Sequence, residues 1–475
     1  MKGARIDYCG GIAAIIVSTL FMMGRPIIIM YVLDSVLDDK IANLPSWAVR
    51  VLSAADGNPV MVMLLWNALL FLLLTVVGGY FMYLKGLLTA RASERMAKNI
   101  RDQLYTQLQH KSYAYHVQIE SGDVMQRCTS DVETIRLFYA NQLTEIGRAA
   151  SILATITVIL VSLNLRLALI SIAMMPLIFI FSFFYFKRVR SKFKEVDEAE
   201  GSLSNVIQEN LTGIRVVRAF ARQKYEIGKF DVKNSIYRDR VYELLRLLAT
   251  YWSVSDWTCL MQISLVMLLG GYWTAVGMLT LGTYMAGIAY VERLLWPIRQ
   301  LGRILTDMGK MIVAKKRIGA ILDGKNEFDV NGSETPEITG RIEFRDVSFA
   351  YEKEPVLKQV SFSVEPGETV AILGPTGSGK STLMHLLARL YECDSGEILI
   401  DGVPITAIEK KYLREHVGIV LQEPFLFKKS VRENIALGVK RVEEKEITQT
   451  AAAAAVHSVI MKFDKQYDTE VGEGG

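Results

Sequence analysis

Six long apolar stretches constrain this chain more than any other feature. They fall at about residues 9–33, 59–84, 143–164, 167–186, 252–278 and 281–305. A helix needs about 20 apolar residues to cross the hydrocarbon core of a bilayer. The first stretch is too long for a signal peptide and lacks a small-residue cleavage site. The pattern therefore predicts six membrane-spanning helices, the first of them kinked at Arg25-Pro26.

The composition agrees with a membrane protein that has more than one domain. The chain has 475 residues, and 51% of them are hydrophobic, which is high for a soluble protein of that length. A net charge of +4 is small for this size and indicates no nucleic-acid partner. The four cysteines lack the spacing of a zinc site or of a disulfide framework.

The distribution of basic residues predicts the orientation in the membrane. The connections after the second and fourth spans are rich in lysine and arginine, whereas the alternate connections carry only Lys40, Arg50 and Arg166. The positive-inside rule then places the N-terminus, the two long loops and everything after the sixth span in the cytoplasm of a multi-pass cell-membrane protein. Arg91–Gln109 and Val189–Gln208 keep a helical period, so the membrane helices are predicted to continue into the cytoplasm.

The composition changes after the sixth span. A polar segment rich in Gly, Pro, Asn and Glu follows, and from Arg341 onward the pattern is that of a soluble α/β domain. The predicted domains are 1–320 in the membrane, 321–340 as a linker and 341–475 as a nucleotide-binding domain. The predicted strands are 342–344, 361–364, 370–373, 397–400 and 418–421, and the predicted helices are 383–390 and 444–460.

A glycine-rich motif in the soluble part predicts phosphate binding. It reads Gly374, Pro375, Thr376, Gly377, Ser378, Gly379, Lys380, Ser381 and Thr382. This fits G-x-x-x-x-G-K-[ST] between a predicted strand and a predicted helix, in which backbone N–H groups surround the phosphates of ATP. Lys380 is then expected to reach the β- and γ-phosphates, and the Ser381 hydroxyl to bind Mg²⁺.

Two further residues are candidates for the same site. Tyr351 ends a predicted strand before the motif and could stack on adenine; the alternative is an edge-strand tyrosine that packs locally. Gln422 follows the predicted strand 417–421, and a polar side chain there could contact Mg²⁺ or the attacking water. By itself, Gln422 could equally be an ordinary loop residue.

Together these features resemble the ATP-binding cassette (ABC) family, and specifically the exporter type in which six membrane helices and one cassette share a polypeptide. The resemblance implies that residues 374–382 bind ATP with Mg²⁺, that Tyr351 stacks on adenine, and that Gln422 is the Q-loop residue. Ser430–Ile435 resembles the segment after the Q-loop. Coupling helices are implied near Gly122–Asp131 and Thr212–Tyr225.

The resemblance also implies how the protein works. Val471–Gly475 resembles the lead-in to the family signature, so the signature and the catalytic glutamate are expected beyond it and hydrolysis is expected of a longer product. Two half-transporters, identical or homologous, are expected to export a hydrophobic or amphipathic compound, lipid or peptide. The alternatives are an ATP-gated channel or a regulatory subunit, and a lipid or peptide translocase, on the same scaffold.

The sixth stretch contains an adjacent pair of charged residues. Glu292 and Arg293 lie about eleven residues into it, or roughly 17 Å at about 1.5 Å per residue, which is near the middle of a bilayer. Glu292 could face cargo, in which case cationic amphiphiles with Trp296 as apolar surface are expected, or it could bond to a neighbouring helix. Asp256 lies nearer the interface and is expected to be structural.

The basic-residue asymmetry predicts the topology directly. A cysteine placed at Asn43 should react with a membrane-impermeant maleimide added outside the cell, whereas the native Cys128 should react only after the membrane is permeabilised. Mass spectrometry of the labelled chain measures both. The reverse labelling pattern would contradict the orientation.

Overall fold

The computed structural model describes residues 3–38, 44, 46–324, 326–351, 354–422, 425–439 and 442–472, with backbone only at helical positions 46, 47, 298, 299, 301–303, 305 and 306. Asn43, residues 423–424 beside the predicted Q-loop and residues 473–475 of the predicted signature lead-in lie outside this range. The chain divides into two compact units. The first comprises Met1–Lys111 and Ile119–Lys325, and the second comprises Ser112–Gln118 and Asn326–Gly475.

The first unit, here called the membrane unit, is helical in its described residues. Its α-helices are α1 (Arg5–Met23), α2 (Arg25–Tyr31), α3 (Ser46–Leu52), α4 (Val60–Gln109), α6 (Ser121–Gln126), α7 (Val132–Leu137), α8 (Leu143–Leu163), α9 (Leu165–Ile172), α10 (Met175–Thr212), α11 (Ile214–Ala219), α12 (Gln223–Ala275) and α13 (Leu281–Leu322). The π-helical segments Val32–Leu37, Arg127–Asp131 and Phe138–Gln142 join neighbouring helices, and Ser53–Ala55 is a short 3₁₀ turn.

Five helical segments of the described residues are long and apolar enough to cross a membrane. They are Arg5–Leu37, Val60–Gln109, Ser121–Leu163, Leu165–Thr212 and Gln223–Ala275. Each overlaps one of the first five predicted stretches and extends beyond it, and the 50 residues of α4 would extend about 75 Å at about 1.5 Å per residue. The sixth predicted stretch lies in α13, so the count of six spans stays a prediction.

The first span is interrupted at the predicted kink, and a residue of α13 forms a hydrogen bond with the backbone there. Gly24 separates α1 from α2, and Pro26 has no N–H to donate to the carbonyl of Met22. The carbonyl of Met23 accepts a hydrogen bond from the Tyr290 hydroxyl at 2.6 Å instead of from the next turn of its own helix. In lipid, a break in a helix is tolerated when a neighbouring helix supplies such donors.

Asp34 joins the first span to the start of α13. Its carboxylate is fully buried and accepts hydrogen bonds from the Gly282 N–H at 2.6 Å and from the Thr280 hydroxyl at 2.5 Å. It therefore caps a helix that belongs to another part of the chain, where N–H groups lack intrahelical partners. A Cβ at Gly282 would lie 2.3 Å from the Met30 carbonyl oxygen, so this close approach requires glycine.

An ion network ties the segment before the third span to the far end of α13. Arg317 donates to Asp123 at 2.6 Å and lies 3.4 Å from Asp131, while Arg127 pairs with Asp123 at 2.6 Å. The segment that the resemblance assigns to the first coupling helix, Gly122–Asp131, is thus held within the membrane unit. Ser112–Gln118 is instead the part of this loop that belongs to the second unit.

The second unit, here called the cassette unit, is built on an antiparallel sheet. The strands are β1 (Ile342–Ala350), β2 (Pro355–Val364), β3 (Ser395–Ile400) and β4 (Val403–Pro404), in the order β2-β1-β3-β4. The α-helices are α5 (Tyr113–Gln118), α14 (Lys380–Leu387), α15 (Lys410–His416), α16 (Val431–Ile435), α17 (Glu444–Ala453) and α18 (His457–Ile460), with 3₁₀ turns at Glu327–Asp329, Ala436–Gly438 and Gln466–Asp468. The core joins one face of the sheet to α14 and α15 through Phe344, Val347, Leu386, Ile398 and Leu413.

Three of the five predicted strands are present, and two predictions are wrong. Residues 370–373 and 418–421 are not strands, and Leu373 and Val420 are 92% and 99% exposed. Such apolar runs become strands only when another strand accepts their backbone hydrogen bonds. The four described strands pair with one another and with neither run, so the strands predicted just before the glycine loop and just before Gln422 are not present in the described residues.

Asp401 fastens the end of the predicted linker to the sheet. It follows β3 and accepts hydrogen bonds from the Thr339 hydroxyl and from the backbone N–H groups of Thr339, Gly340 and Arg341. These hydrogen bonds, above all the one from the Thr339 hydroxyl, lower the pKa of Asp401 to about 2. Since the folded pKa is depressed, this contribution to stability is present above the ordinary aspartate pKa and is lost as the pH falls toward 2.

The contact of Asp34 with α13 predicts a stability change. Asp34→Ala should lower the free energy of unfolding by about 1–3 kcal/mol, because two buried donors lose their acceptor. Asp34→Asn keeps one carbonyl oxygen and should cost less. Unfolding of the purified chain in mixed detergent–SDS micelles measures both variants. An Asp34→Ala midpoint equal to that of the wild type would contradict the role of Asp34.

Candidate nucleotide-binding site

The glycine motif forms a tight loop that leads directly into α14. Gly377 and Gly379 have φ values of 85° and 88°, in the left-handed region that favours glycine. A Cβ at Gly379 would also lie 2.7 Å from the Leu357 side chain of β2. The helix begins at Lys380, so its first N–H groups and the positive end of its dipole meet the loop.

Lys380 lies across this loop. Its ammonium donates to the carbonyls of Gly374 and Pro375 at 2.9 and 2.8 Å. The Ser378 N–H also donates to the Pro375 carbonyl, at 3.2 Å, which closes the turn. A cation, left-handed glycines and a helix N-terminus thus converge on one small region, and this donor set suits a phosphate group.

The residues after Lys380 divide into one exposed and one buried hydroxyl. Ser381 is exposed at the first turn of α14, whereas Thr382 is buried. In the described residues no group of three His, Cys, Asp or Glu side chains could hold a metal ion. The exposed Ser381 hydroxyl suits the single protein ligand that Mg²⁺ takes when nucleotide phosphates and water supply the others.

Tyr351 lies beside this helix. Its hydroxyl shares a hydrogen bond of 3.0 Å with the Thr382 hydroxyl, and its ring packs edge-on against Phe349 at 5.0 Å between centroids. The residue is 44% exposed, so the side of the ring away from these contacts is accessible. The structure therefore brings Tyr351 and the glycine loop together, as adenine stacking would require.

Gln422 is not joined to the loop. It is exposed, it is not on a strand, and it makes no hydrogen bond with the described residues of the loop. Residues 418–421, which precede Gln422, pair with no strand. The direction of the Gln422 side chain is therefore not fixed by a sheet. A role for Gln422 stays a prediction.

An aromatic cluster beside the loop was not predicted from the sequence. Tyr391 packs edge-on against Tyr351 at 5.1 Å and against Tyr113 at 5.6 Å, and Tyr113 also lies 5.6 Å from the His385 ring. Burial, followed by the neighbouring tyrosines Tyr351 and Tyr113, raises the pKa of Tyr391. We call Tyr351, Tyr391, Tyr113 and His385 the aromatic cluster.

The aromatic cluster connects the candidate adenine contact to α5. Tyr113 is the first residue of α5, which lies more than 200 positions before the loop in the sequence. Tyr391 could have been noticed, because it closes the apolar run that follows the motif. Tyr113 had no comparable signal, since an aromatic residue in a polar loop has no distinctive spacing.

The chain belongs to the ABC transporters. The family model of the ABC transporter transmembrane region matches residues 8–298, and that of the ABC transporter matches residues 357–473. The chain is similar to an ATP-dependent lipid A-core flippase of Syntrophus aciditrophicus (strain SB), with 30% identity over 87% of this chain and 69% of the relative. It is 31% identical to the putative multidrug export ATP-binding/permease protein YgaD of Bacillus subtilis (strain 168), over 86% of this chain and 71% of the relative.

Two further matches extend over nearly the whole chain. The multidrug resistance-like ATP-binding protein MdlA of Escherichia coli (strain K12) is 29% identical over 98% of this chain and 77% of the relative. A solved bacterial Atm1-family ABC exporter with ATP bound covers 100% of this chain and 81% of its own, with a TM-score of 0.77 and 22% identity, which is a likeness of fold.

These matches define the class of protein. The chain is an exporter-type ABC half-transporter in which a membrane domain and an ATP-binding domain are fused, and it is an ATPase-coupled, multi-pass membrane transporter. The half-transporter architecture implies a dimer. The resemblance found in the sequence is therefore confirmed.

The aromatic cluster predicts a contribution of Tyr391 to nucleotide binding. Tyr391→Leu should weaken ATP binding roughly 2- to 10-fold, because an edge-on aromatic pair of about 0.5–1.5 kcal/mol no longer holds the Tyr351 ring. Tyr391→Phe keeps the ring and should bind like the wild type. Fluorescent ATP-analogue titrations measure the three affinities, and equal affinities for the leucine and phenylalanine variants would refute this role.

Proposed function

We propose that this chain is one half of an ATP-driven exporter with six membrane spans, whose N-terminus and cassette unit lie in the cytoplasm. Two copies, or this chain and a homologous one, form the transport pathway. The observation that carries the proposal is the glycine loop with Lys380 at the start of α14, in a chain that also carries several membrane-spanning helices.

The nucleotide is assigned to residues 374–382 and Tyr351. The loop N–H groups and Lys380 hold the phosphates, Ser381 contributes a ligand to Mg²⁺, and the accessible face of Tyr351 stacks on adenine. The contact of Tyr351 with Thr382 supports this arrangement, because it fixes the proposed adenine contact to the helix that follows the phosphate loop. Gln422 is assigned to the Mg²⁺ ion or the attacking water by the family resemblance alone.

The coupling of ATP to transport is assigned to α5. The chain passes from α4, a helix of 50 residues with a membrane-spanning part, almost directly into α5, whose Tyr113 packs in the aromatic cluster. A change at the nucleotide is then passed to the end of α4 through packed rings and the chain itself. Binding of ATP switches the pathway between its two sides, and hydrolysis resets it.

The cargo is assigned to hydrophobic or amphipathic compounds. The relatives whose names state a cargo include a lipid A-core flippase and multidrug exporters. Many apolar side chains of the membrane unit are exposed to its surroundings, as expected for helices in lipid. Lipid translocation is the second candidate, supported by the flippase relative.

Replacement of Lys380 tests the proposed function. Lys380→Ala should reduce ATPase activity and transport of the full-length transporter in proteoliposomes by on the order of 100-fold or more, because the β/γ-phosphate charge loses its compensating cation. Lys358→Ala, at an exposed position of β2, is the matched control and should retain activity. Near-normal ATPase activity in Lys380→Ala would overturn the assignment.

A further inference from the structure

Two arginines lie at matching depth in the membrane unit. Arg25 is the first residue of α2, and Arg293 lies within α13. The contact of Asp34 with Gly282 sets the register of these two segments. Arg25 precedes Asp34 by nine residues, and Arg293 follows Gly282 by eleven residues. At about 1.5 Å per residue both are roughly 14–17 Å from the contact. This contact lies at the predicted end of the first span and the predicted start of the sixth, so both arginines are expected well inside a hydrocarbon core of about 30 Å.

Arg293 has a structural contact that needs no charge. Its Nη1 donates to the Met22 carbonyl at 3.1 Å, the carbonyl that Pro26 leaves without its helical partner. The neutral Tyr290 hydroxyl satisfies the neighbouring carbonyl in the same way. This bond uses one of the five N–H donors of the guanidinium, so the positive charge and the remaining donors call for another explanation.

Arg25 has still fewer partners. Its Nε is buried without a hydrogen-bond partner in the described part of the chain, and its guanidinium carbon lies 5.9 Å from the centre of the Phe71 ring. Arg293 lies near Arg25, because its Nη1 donates to the carbonyl of Met22, three residues before Arg25. Neither arginine forms an ion pair with a described carboxylate, and Glu292 is exposed and forms none with either.

Two like charges without a counter-ion are costly inside a membrane. Charged groups at this depth usually pair with one another or face a ligand or ion pathway. Because Arg25 and Arg293 repel each other, a bound anion would remove the repulsion and satisfy their free N–H groups at once. Guanidinium groups bind phosphate through paired hydrogen bonds, which a lysine could not form in the same way.

We propose that Arg25 and Arg293 form a binding site for the phosphate group of an anionic amphiphile. The proposal rests on the proposed export function and specifies its cargo or lipid class. The Phe71 ring, which lies 5.9 Å from the Arg25 guanidinium carbon, offers an apolar contact to the start of the hydrocarbon tail. Since the two arginines outnumber Glu292, the site favours anions over the cationic amphiphiles that Glu292 alone predicts.

Binding of charged amphiphiles to the purified chain in phosphatidylcholine nanodiscs tests this site. The probes are a fluorescent dodecyl phosphate and a trimethylammonium compound with the same tail, followed by fluorescence anisotropy. The wild type should bind the phosphate probe at least about tenfold more tightly, as expected for charge-assisted hydrogen bonds. The double variant Arg25→Gln/Arg293→Gln should lose this preference. The side-chain amide of the glutamine that replaces Arg293 can still donate a hydrogen bond to the Met22 carbonyl.

Arg166→Gln is the matched control, because Arg166 is exposed in the connection between α8 and α9. It should keep the wild-type preference. Equal affinity of the wild type for both probes, or a preference retained in the double variant, would overturn the proposal. Unfolding midpoints of the variants identify a loss of fold, and in that case the single variant Arg25→Gln, which breaks no described hydrogen bond, decides.

Competition identifies the source of the phosphate. Displacement of the probe by phosphatidylglycerol in the nanodisc would assign a lipid headgroup, and displacement by inorganic phosphate would assign the free anion; both results support the site. The Lys380→Ala variant separates this proposal from the proposed function. It should retain the probe preference, since binding at the arginines requires no ATP, even though its ATPase activity is lost.

Discussion

The membrane unit depends on one constraint, which is that a backbone polar group in lipid must find its partner within the protein. Long uninterrupted helices meet this requirement by themselves. Where the first span breaks at Gly24 and Pro26, the exposed carbonyls are met by Tyr290 and Arg293 of α13. A few residues further on, Asp34 caps the start of α13. The same pair of segments is thus joined at the carbonyls of Met22 and Met23 and at the start of α13.

That junction does not by itself require the two positive charges that lie beside it. A neutral donor would have sufficed to satisfy the freed carbonyls, as Tyr290 demonstrates. The two guanidinium groups therefore carry more positive charge than the fold requires, and they carry it where solvation is poorest. Structural and ligand-binding roles coincide in Arg293, so substitutions there must preserve the hydrogen bond while removing the charge. Arg25 separates the two roles, because it makes no described hydrogen bond.

The cassette unit combines a rigid phosphate loop with a less expected aromatic connection. Lys380 and two left-handed glycines form the loop through local backbone geometry. The aromatic cluster then links Tyr351 to α5, a segment that comes from a distant part of the chain. Packed rings have few alternative arrangements, so this cluster is the route that we propose from Tyr351 to Tyr113. This gives the family's nucleotide dependence a specific set of contacts in this protein.

The sequence by itself determined the apolar spans, the kink at Pro26, the phosphate loop and the ABC family. Each of these follows from residues that are close together in the sequence. It also predicted strands at 370–373 and 418–421 that do not form, since a strand exists only with a partner to pair with. The contacts of Asp34 with Gly282, of Arg293 with Met22 and of Tyr113 with Tyr391 join residues far apart in the chain. Only the tertiary structure decided these, because hydrogen bonding and packing between distant segments leave no periodic signal in the sequence.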